Sequence, residues 1–239
     1  MKNLLTYISP SKDFNPEHKM AVKIQIDNSL SLGWNREDIL LITNFDYEYR
    51  GVKSVVVGDE NYCSFRWPAT KIYTIVSLFK TGLIEKGLYW YHDFDCFQFV
   101  PFEEDEPELG KADMGLTNYS RMPRLCSASM FFKETAGDIF LKLKDEVDRT
   151  KKDEEMAIAR LIHTDKNLRE RVKLLNITYA FHKFNLQSCY KIVDKPIRAA
   201  HFHLTPDKYD FYVRGNNKLN MTLIPERLIN IFHQHGFKE

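Results

Sequence analysis

The sequence predicts a single α/β domain in which a central mixed sheet is flanked by helices. Three observations predict it. Short apolar runs of strand length alternate with segments of helical periodicity. The 239 residues are 44% hydrophobic, enough to bury one substantial core. No Gly/Ser-rich or Pro-rich linker divides the chain.

In order, Leu4 to Ser9 reads as the first strand. Asn15 offers a helix cap, Pro16 a first helical residue and Glu17 a first-turn acid. Val22, Ile26 and Leu30 follow at four-residue spacing, and Gly33 can close the helix. Ile39 to Phe45 and Ser54 to Val57 are the second and third strands. A helix is predicted from Pro68, with Ile72, Ile75, Val76 and Phe79 on one stripe and Gly82 beyond its end. The unbroken aromatic run Leu88-Tyr89-Trp90-Tyr91 has the composition of a strand buried on both faces. Further strands are expected at Ala112 to Leu116, Ala128 to Phe132, Leu174 to Tyr179 and Ile197 to His203. Helices are expected at Ala136 to Asp148, at Asp153 to Ile162 and from Pro225. Glu103-Glu104-Asp105-Glu106-Pro107-Glu108 reads as a solvated acidic loop.

Composition narrows the function. A formal net charge of +1 leaves no global field to attract nucleic acid or a membrane surface. The amino-terminal apolar run is too short for a signal peptide, and no stretch reaches transmembrane length. Cys63, Cys96, Cys126 and Cys189 are scattered without a C-x-x-C pair, which implies reduced thiols and a cytoplasmic location. The chain has no dinucleotide-binding or phosphate-loop glycine motif, no H-E-x-x-H and no G-x-S-x-G.

The most informative passage is Tyr89-Trp90-Tyr91-His92-Asp93-Phe94-Asp95. In an extended segment residues two apart share a side, so Asp93 and Asp95 are expected to converge. Hard divalent cations such as Mg²⁺ and Mn²⁺ combine one or two carboxylates with substrate phosphates. A carboxylate pair at the carboxyl end of a central strand lies where α/β sheets bind ligands. Lys71, in Trp67-Pro68-Ala69-Thr70-Lys71, lies off the apolar stripe at a helix start. It reads either as a solvated lysine or as a diphosphate contact. Asp153-Glu154-Glu155 opens a helix, where acids cap, and Ser127 precedes an apolar strand.

On these residues the chain resembles the nucleotide-sugar transferases of the GT-A fold, closest in layout to small family-8-like members and those of large algal viruses. The resemblance implies one GT-A-like domain, with a nucleotide-binding half over residues 1–95 and an acceptor-binding half over 96–239. It implies a metal-dependent glycosyltransferase using Mn²⁺ or Mg²⁺, a nucleotide-sugar donor, expected to be a UDP-sugar, and a glycan acceptor. Donor contacts would come from Thr6, Tyr7, Trp67, Lys71, Asp93, Phe94, Asp95 and Ser127. Asp153 or Glu154 would bind a sugar hydroxyl or act as base. His201-Phe202 matches the family's late His-Phe pair, so His201 is the expected nitrogen ligand beside Asp93 and Asp95. His203 shares its side of the predicted strand and is the further metal-site candidate, expected in a lesser role that includes contact with a phosphate. The family's following glycine and Lys-Pro pair are replaced by Leu204-Thr205-Pro206-Asp207-Lys208. Two other readings use the same residues: a metal-dependent phosphoester hydrolase and a non-catalytic glycan-binding module. Donor-dependent sugar transfer, phosphate release and donor-free glycan binding separate the three.

Overall fold

A computed structural model describes residues 1–118, 125–182, 190–201 and 223–236. Its main sheet has eight strands: β1 (Lys2–Tyr7), β2 (Ile39–Thr43), β3 (Glu48–Tyr49), β4 (Val52–Val56), β5 (Leu88–His92), β7 (Met114–Asn118), β8 (Leu125–Lys133) and β9 (Val172–Leu175). They lie in the order β3-β4-β2-β1-β5-β8-β7-β9. β1 pairs in parallel with both β2 and β5, and β8 runs antiparallel between β5 and β7. The sheet is therefore mixed, and strands from both sides of residue 95 share it.

Alternation along the strands builds three layers. Leu4, Ile42, Tyr89, Tyr91 and Phe132 point to the face covered by α2 (Thr70–Lys80) and α3 (Gly137–Thr150), where Ile72, Ile75 and Phe140 meet them. Leu5, Tyr7 and Leu41 point to the other face, against Val22 and Ile26 of α1 (Pro16–Ser31). The predicted cap of α1 is present, with the Asn15 side chain accepting from the His18 amide. β1 lies between β2 and β5, so the chain departs to opposite sides of it and leaves a crevice at the carboxyl ends of β1 and β5.

A second sheet closes this crevice. β6 (Cys96–Gln98) pairs antiparallel with β11 (Ala199–His201), which pairs with β10 (Phe181–His182). The register sets His201 opposite Cys96. α4 (Glu154–Thr164), α5 (Lys166–Glu170) and α6 (Glu226–Gln234) complete the described α-helices. No helix among the described residues is long and apolar enough to cross a membrane.

Several expectations are corrected. The helix predicted from Pro68 begins as a 3₁₀ turn, Trp67–Ala69, and becomes α-helical at Thr70. The strand predicted over Leu174 to Tyr179 ends at Leu175 and gives way to a 3₁₀ segment at Ile177–Tyr179, where the Asn176 side chain accepts from the Thr178 amide. The strand predicted at Ser54 to Val57 spans Val52–Val56, and it pairs with the unpredicted β3, whose two residues are too few to show alternation. Glu103 and Glu106 are not simply solvated: they bind Arg198 at 2.6 and 2.7 Å, next to the start of β11. Phe202, His203 and the segment after them lie outside the described residues, as does Cys189.

His92, the last residue of β5, is fully buried against the Trp90 ring. It contacts Asn3 Oδ1 at 2.7 Å and the Asp93 carbonyl at 3.1 Å. Burial drives its pKa down from 6.5 to about 4. As pH falls the unfolded chain takes up this proton first, so His92 withdraws stability between about pH 6.5 and about pH 4, by about 3 kcal/mol in all. Urea unfolding followed across that window should show a steeper loss on acidification in the wild type than in His92→Gln. Equal slopes would show that His92 does not contribute.

Candidate active site

The crevice is a cavity of about 400 Å³. Thr6 and Tyr7 at the end of β1, Trp67 and Lys71 around the start of α2, Asp93, Phe94 and Asp95 after β5, Ser127 on β8, Asp153 and Glu154 at the start of α4, and His201 on β11 all line it. The structure thus brings together every predicted site residue that it describes; His203 is outside the described residues.

Lys71 occupies the centre. Its side chain is only 5% exposed, and its ammonium lies 2.8 Å from Asp93 Oδ2 and 3.1 Å from Glu154 Oε1. It also donates to Ser127 Oγ at 3.2 Å, and that hydroxyl donates to Glu154 Oε1 at 2.9 Å. The solvated-lysine reading is therefore corrected. Lys71 lies off the apolar stripe of α2 because it faces the strand ends, where two carboxylates receive it. Burial works against the ammonium, but Asp93 and Glu154 outweigh it and hold its pKa well above the ordinary lysine value. Burial likewise opposes ionisation of Glu154, yet the Lys71 charge prevails and lowers its pKa. At Asp93 burial prevails and, with the charge of Asp95, raises the pKa in spite of Lys71. The Tyr91 hydroxyl donates to Asp93 Oδ1. Burial, followed by the Asp93 charge, lifts the pKa of that phenol well above its usual value.

The two aspartates do not sit on an extended segment. β5 ends at His92, and residues 93–95 form a turn in which the Cys96 amide donates to the Asp93 carbonyl at 3.0 Å. Strand parity consequently does not apply: Asp93 turns to Lys71, while Asp95 Oδ1 lies 3.3 Å from His201 Nε2. The pairing of His201 with Cys96 brings that imidazole to Asp95. Burial disfavours the imidazolium, but the Asp95 carboxylate overcomes it and raises the His201 pKa well above its ordinary value.

A carboxylate oxygen and an imidazole nitrogen at this separation suit a hard divalent ion that takes its remaining ligands from phosphate and water. Asp93, on the same wall, is committed to Lys71. Among the described residues no group of three His, Cys, Asp or Glu side chains gathers at ligand distance.

Asp153 and Glu154 separate in role. The Asp153 side chain accepts from the Met156 amide as the cap of α4, and it meets Arg66 at 3.5 Å. Beside this pair Lys151 lies over the Phe65 ring at 4.0 Å, so segments 65–67 and 151–153 clasp across the mouth. Glu154 reaches inward, and its Oε2 is buried with no hydrogen-bond partner among the described residues. Tyr7 and Phe94 stack at 6.0 Å between ring centres, and His18 meets the half-exposed Trp67 edge-on at 5.3 Å. Sequence reasoning missed Glu17, His18, Arg66 and Glu155, which also line the cavity. The first two were recoverable, because the first turn of a helix following β1 must sit at the carboxyl edge of the sheet.

No protein-family model matches the chain, and no curated protein matches it in sequence. The fold is that of the GT-A-type glycosyltransferases. The chain is similar over 100% of its length to 98% of the galactosyltransferase LgtC, solved with donor and acceptor sugar analogues, at 11% identity and a TM-score of 0.64. It is similar over 98% of its length to 63% of the glycosyltransferase GlyE of Streptococcus pneumoniae, at 11% identity and a TM-score of 0.59. A glycosyltransferase involved in glycosylation of the major capsid of PBCV-1 is matched over 93% of this chain and 99% of its own, at 10% identity and a TM-score of 0.52.

Removing the central ammonium leaves two carboxylates facing each other without compensation. Lys71→Met is therefore expected to cost about 3–5 kcal/mol near neutral pH, the scale for breaking a buried ion pair. The loss should shrink on acidification, as the carboxyls take up protons. Urea unfolding of the variant and the wild type at several pH values measures it, and a loss below about 1 kcal/mol, the scale of a surface ion pair, would contradict the burial of this charge.

Proposed function

We propose that the chain is a metal-dependent glycosyltransferase that moves a sugar from a nucleoside-diphosphate sugar, expected to be a UDP-sugar, to a hydroxyl of a glycan acceptor. The observation that carries this reading is one cavity, at the carboxyl ends of β1 and β5, holding both the Lys71-centred carboxylates and the adjacent Asp95–His201 pair. The fold shared with GT-A-type glycosyltransferases supports it.

In this reading Asp95 and His201, with Asp93 beside them, would hold Mn²⁺ or Mg²⁺. Bound there, the ion supplies Lewis-acid neutralisation of the charge that develops on the departing diphosphate. The stacked Tyr7 and Phe94, with Thr6 and the half-exposed Trp67, form the wall offered to the nucleoside, on the side of residues 1–95. Ser127 and Glu154 face the sugar from the side of residues 96–239. Lys71 keeps Glu154 ionised and fixes its Oε1, which leaves Oε2 to accept a hydrogen bond from a sugar hydroxyl. Such a bond would relieve the cost of a buried oxygen with no partner. Asp153, occupied as a cap, shapes the mouth.

Calorimetric titration with uridine diphosphate, with and without Mn²⁺, tests the reading directly. Affinity should rise at least tenfold with the ion, and Asp95→Asn should abolish that gain while leaving the fold intact. Sugar transfer from UDP-sugars to simple glycosides should require the same ion. An ion-dependent gain that survives in Asp95→Asn would overturn the metal assignment.

A further inference from the structure

α1 carries a polar stripe on its buried face. Gln25, Asn28 and Ser29, at i, i+3 and i+4, are 1%, 1% and 2% exposed, on the side where an amphipathic helix normally places aliphatic groups. Gln25 and Asn28 donate to one neighbouring stretch of chain, and Ser29 reaches it indirectly through Asn3 and His92. Gln25 Nε2 donates to the Phe94 carbonyl at 2.8 Å and to the Cys96 carbonyl at 3.0 Å. Asn28 Nδ2 donates to the Gln98 carbonyl at 3.0 Å. Ser29 Oγ accepts from Asn3 Nδ2 at 2.9 Å, and Asn3 Oδ1 lies against His92, whose other ring nitrogen contacts the Asp93 carbonyl.

The two carbonyls held by Gln25 are those on either side of Asp95. Phe94 lies in the turn after β5 and Cys96 is the first residue of β6, so one amide ties the turn to the strand that follows it, and a buried carbonyl left without a donor costs free energy. Methionine would fill the volume of Gln25 equally well, but it has no N–H to offer. A single planar amide that donates to both carbonyls fixes their separation, and with it the direction in which the Asp95 side chain leaves the turn, towards His201. Misplacement of a ligand by an ångström is enough to spoil a site of this kind.

We propose that Gln25 is a positioning residue: it acts through the backbone of the Asp93–Asp95 turn to aim Asp95 into the cavity. This rests on the reading of that cavity as a metal-assisted donor site. Gln25 itself does not line the cavity.

The test compares wild type, Gln25→Met and Gln25→Glu, the last of which keeps the length but loses both N–H donors. Val22→Ala serves as control, because Val22 is a fully buried α1 residue of the apolar cluster that includes Phe94, and its truncation removes packing but no donor to the carbonyls of the turn. Two quantities are read: Mn²⁺ affinity by electron paramagnetic resonance with uridine diphosphate present, and hydrogen exchange of the 93–98 backbone without metal. Either Gln25 variant should lose at least tenfold in Mn²⁺ affinity and exchange residues 93–98 at least tenfold faster. Val22→Ala should lower the melting temperature and change neither quantity more than about twofold. Exchange at 93–98 no faster than in Val22→Ala overturns the proposal, and so does faster exchange with unchanged Mn²⁺ affinity. A wild type that binds no Mn²⁺ beside the nucleotide overturns the reading of the cavity instead. The metal-free exchange comparison tells the two failures apart.

Discussion

The Lys71 ammonium, taken out of water and set between Asp93 and Glu154, is the interaction on which the rest of the site depends. It joins three elements that are far apart in sequence: the start of α2, the end of β5 and the start of α4. A charge buried this deeply is tolerable only when its partners are in place and their remaining lone pairs are used. Ser127 provides that for Glu154 Oε1 and Tyr91 for Asp93 Oδ1, while Glu154 Oε2 is left open towards the cavity. The arrangement is costly to disturb from any side, so the carboxylates keep fixed positions and reorganise little when a ligand arrives.

Around this centre the molecule uses backbone-directed contacts to place its acids. The polar stripe of α1 takes up carbonyls from the turn after β5. Arg198, held by Glu103 and Glu106, anchors the start of β11 and so the approach of His201. The acidic loop that looks like solvent-facing sequence is half of that anchor. The catalytic-looking residues are few, and much of the chain near the crevice works to fix their directions.

Most of the architecture is legible in the sequence because its cues are local. Asn15 and Pro16 open α1, and the aromatic run of β5 marks a strand buried on both faces. The Asp93–Asp95 spacing and the His201-Phe202 pair point to the cavity that all three charged residues line. The sequence could not show that Asp93 and Asp95 lie in a turn, because departure from the sheet is decided by where β8 and β6 pair. Nor could it show that Lys71 is buried. A lysine off an apolar stripe reads as solvated unless the elements facing it are known, and those are Ser127 and Glu154, far along the chain. Gln25 is illegible for the same reason: one amide in a helix reveals its partners only after folding.

The pairing of β11 with β6 carries a further consequence for the order of events during synthesis. Asp95 and its turn emerge early, whereas the strand that delivers His201 comes from the last part of the chain. Closing so long a loop is entropically slow and must precede any contact that rewards it. A nascent chain can thus complete the β1–β5 core, with Asp93 already on Lys71, while β6 still waits for β11 and Asp95 for His201. The cavity would then be finished only when β11 docks, and a chain stopped before that strand would carry the Tyr7–Phe94 wall without His201.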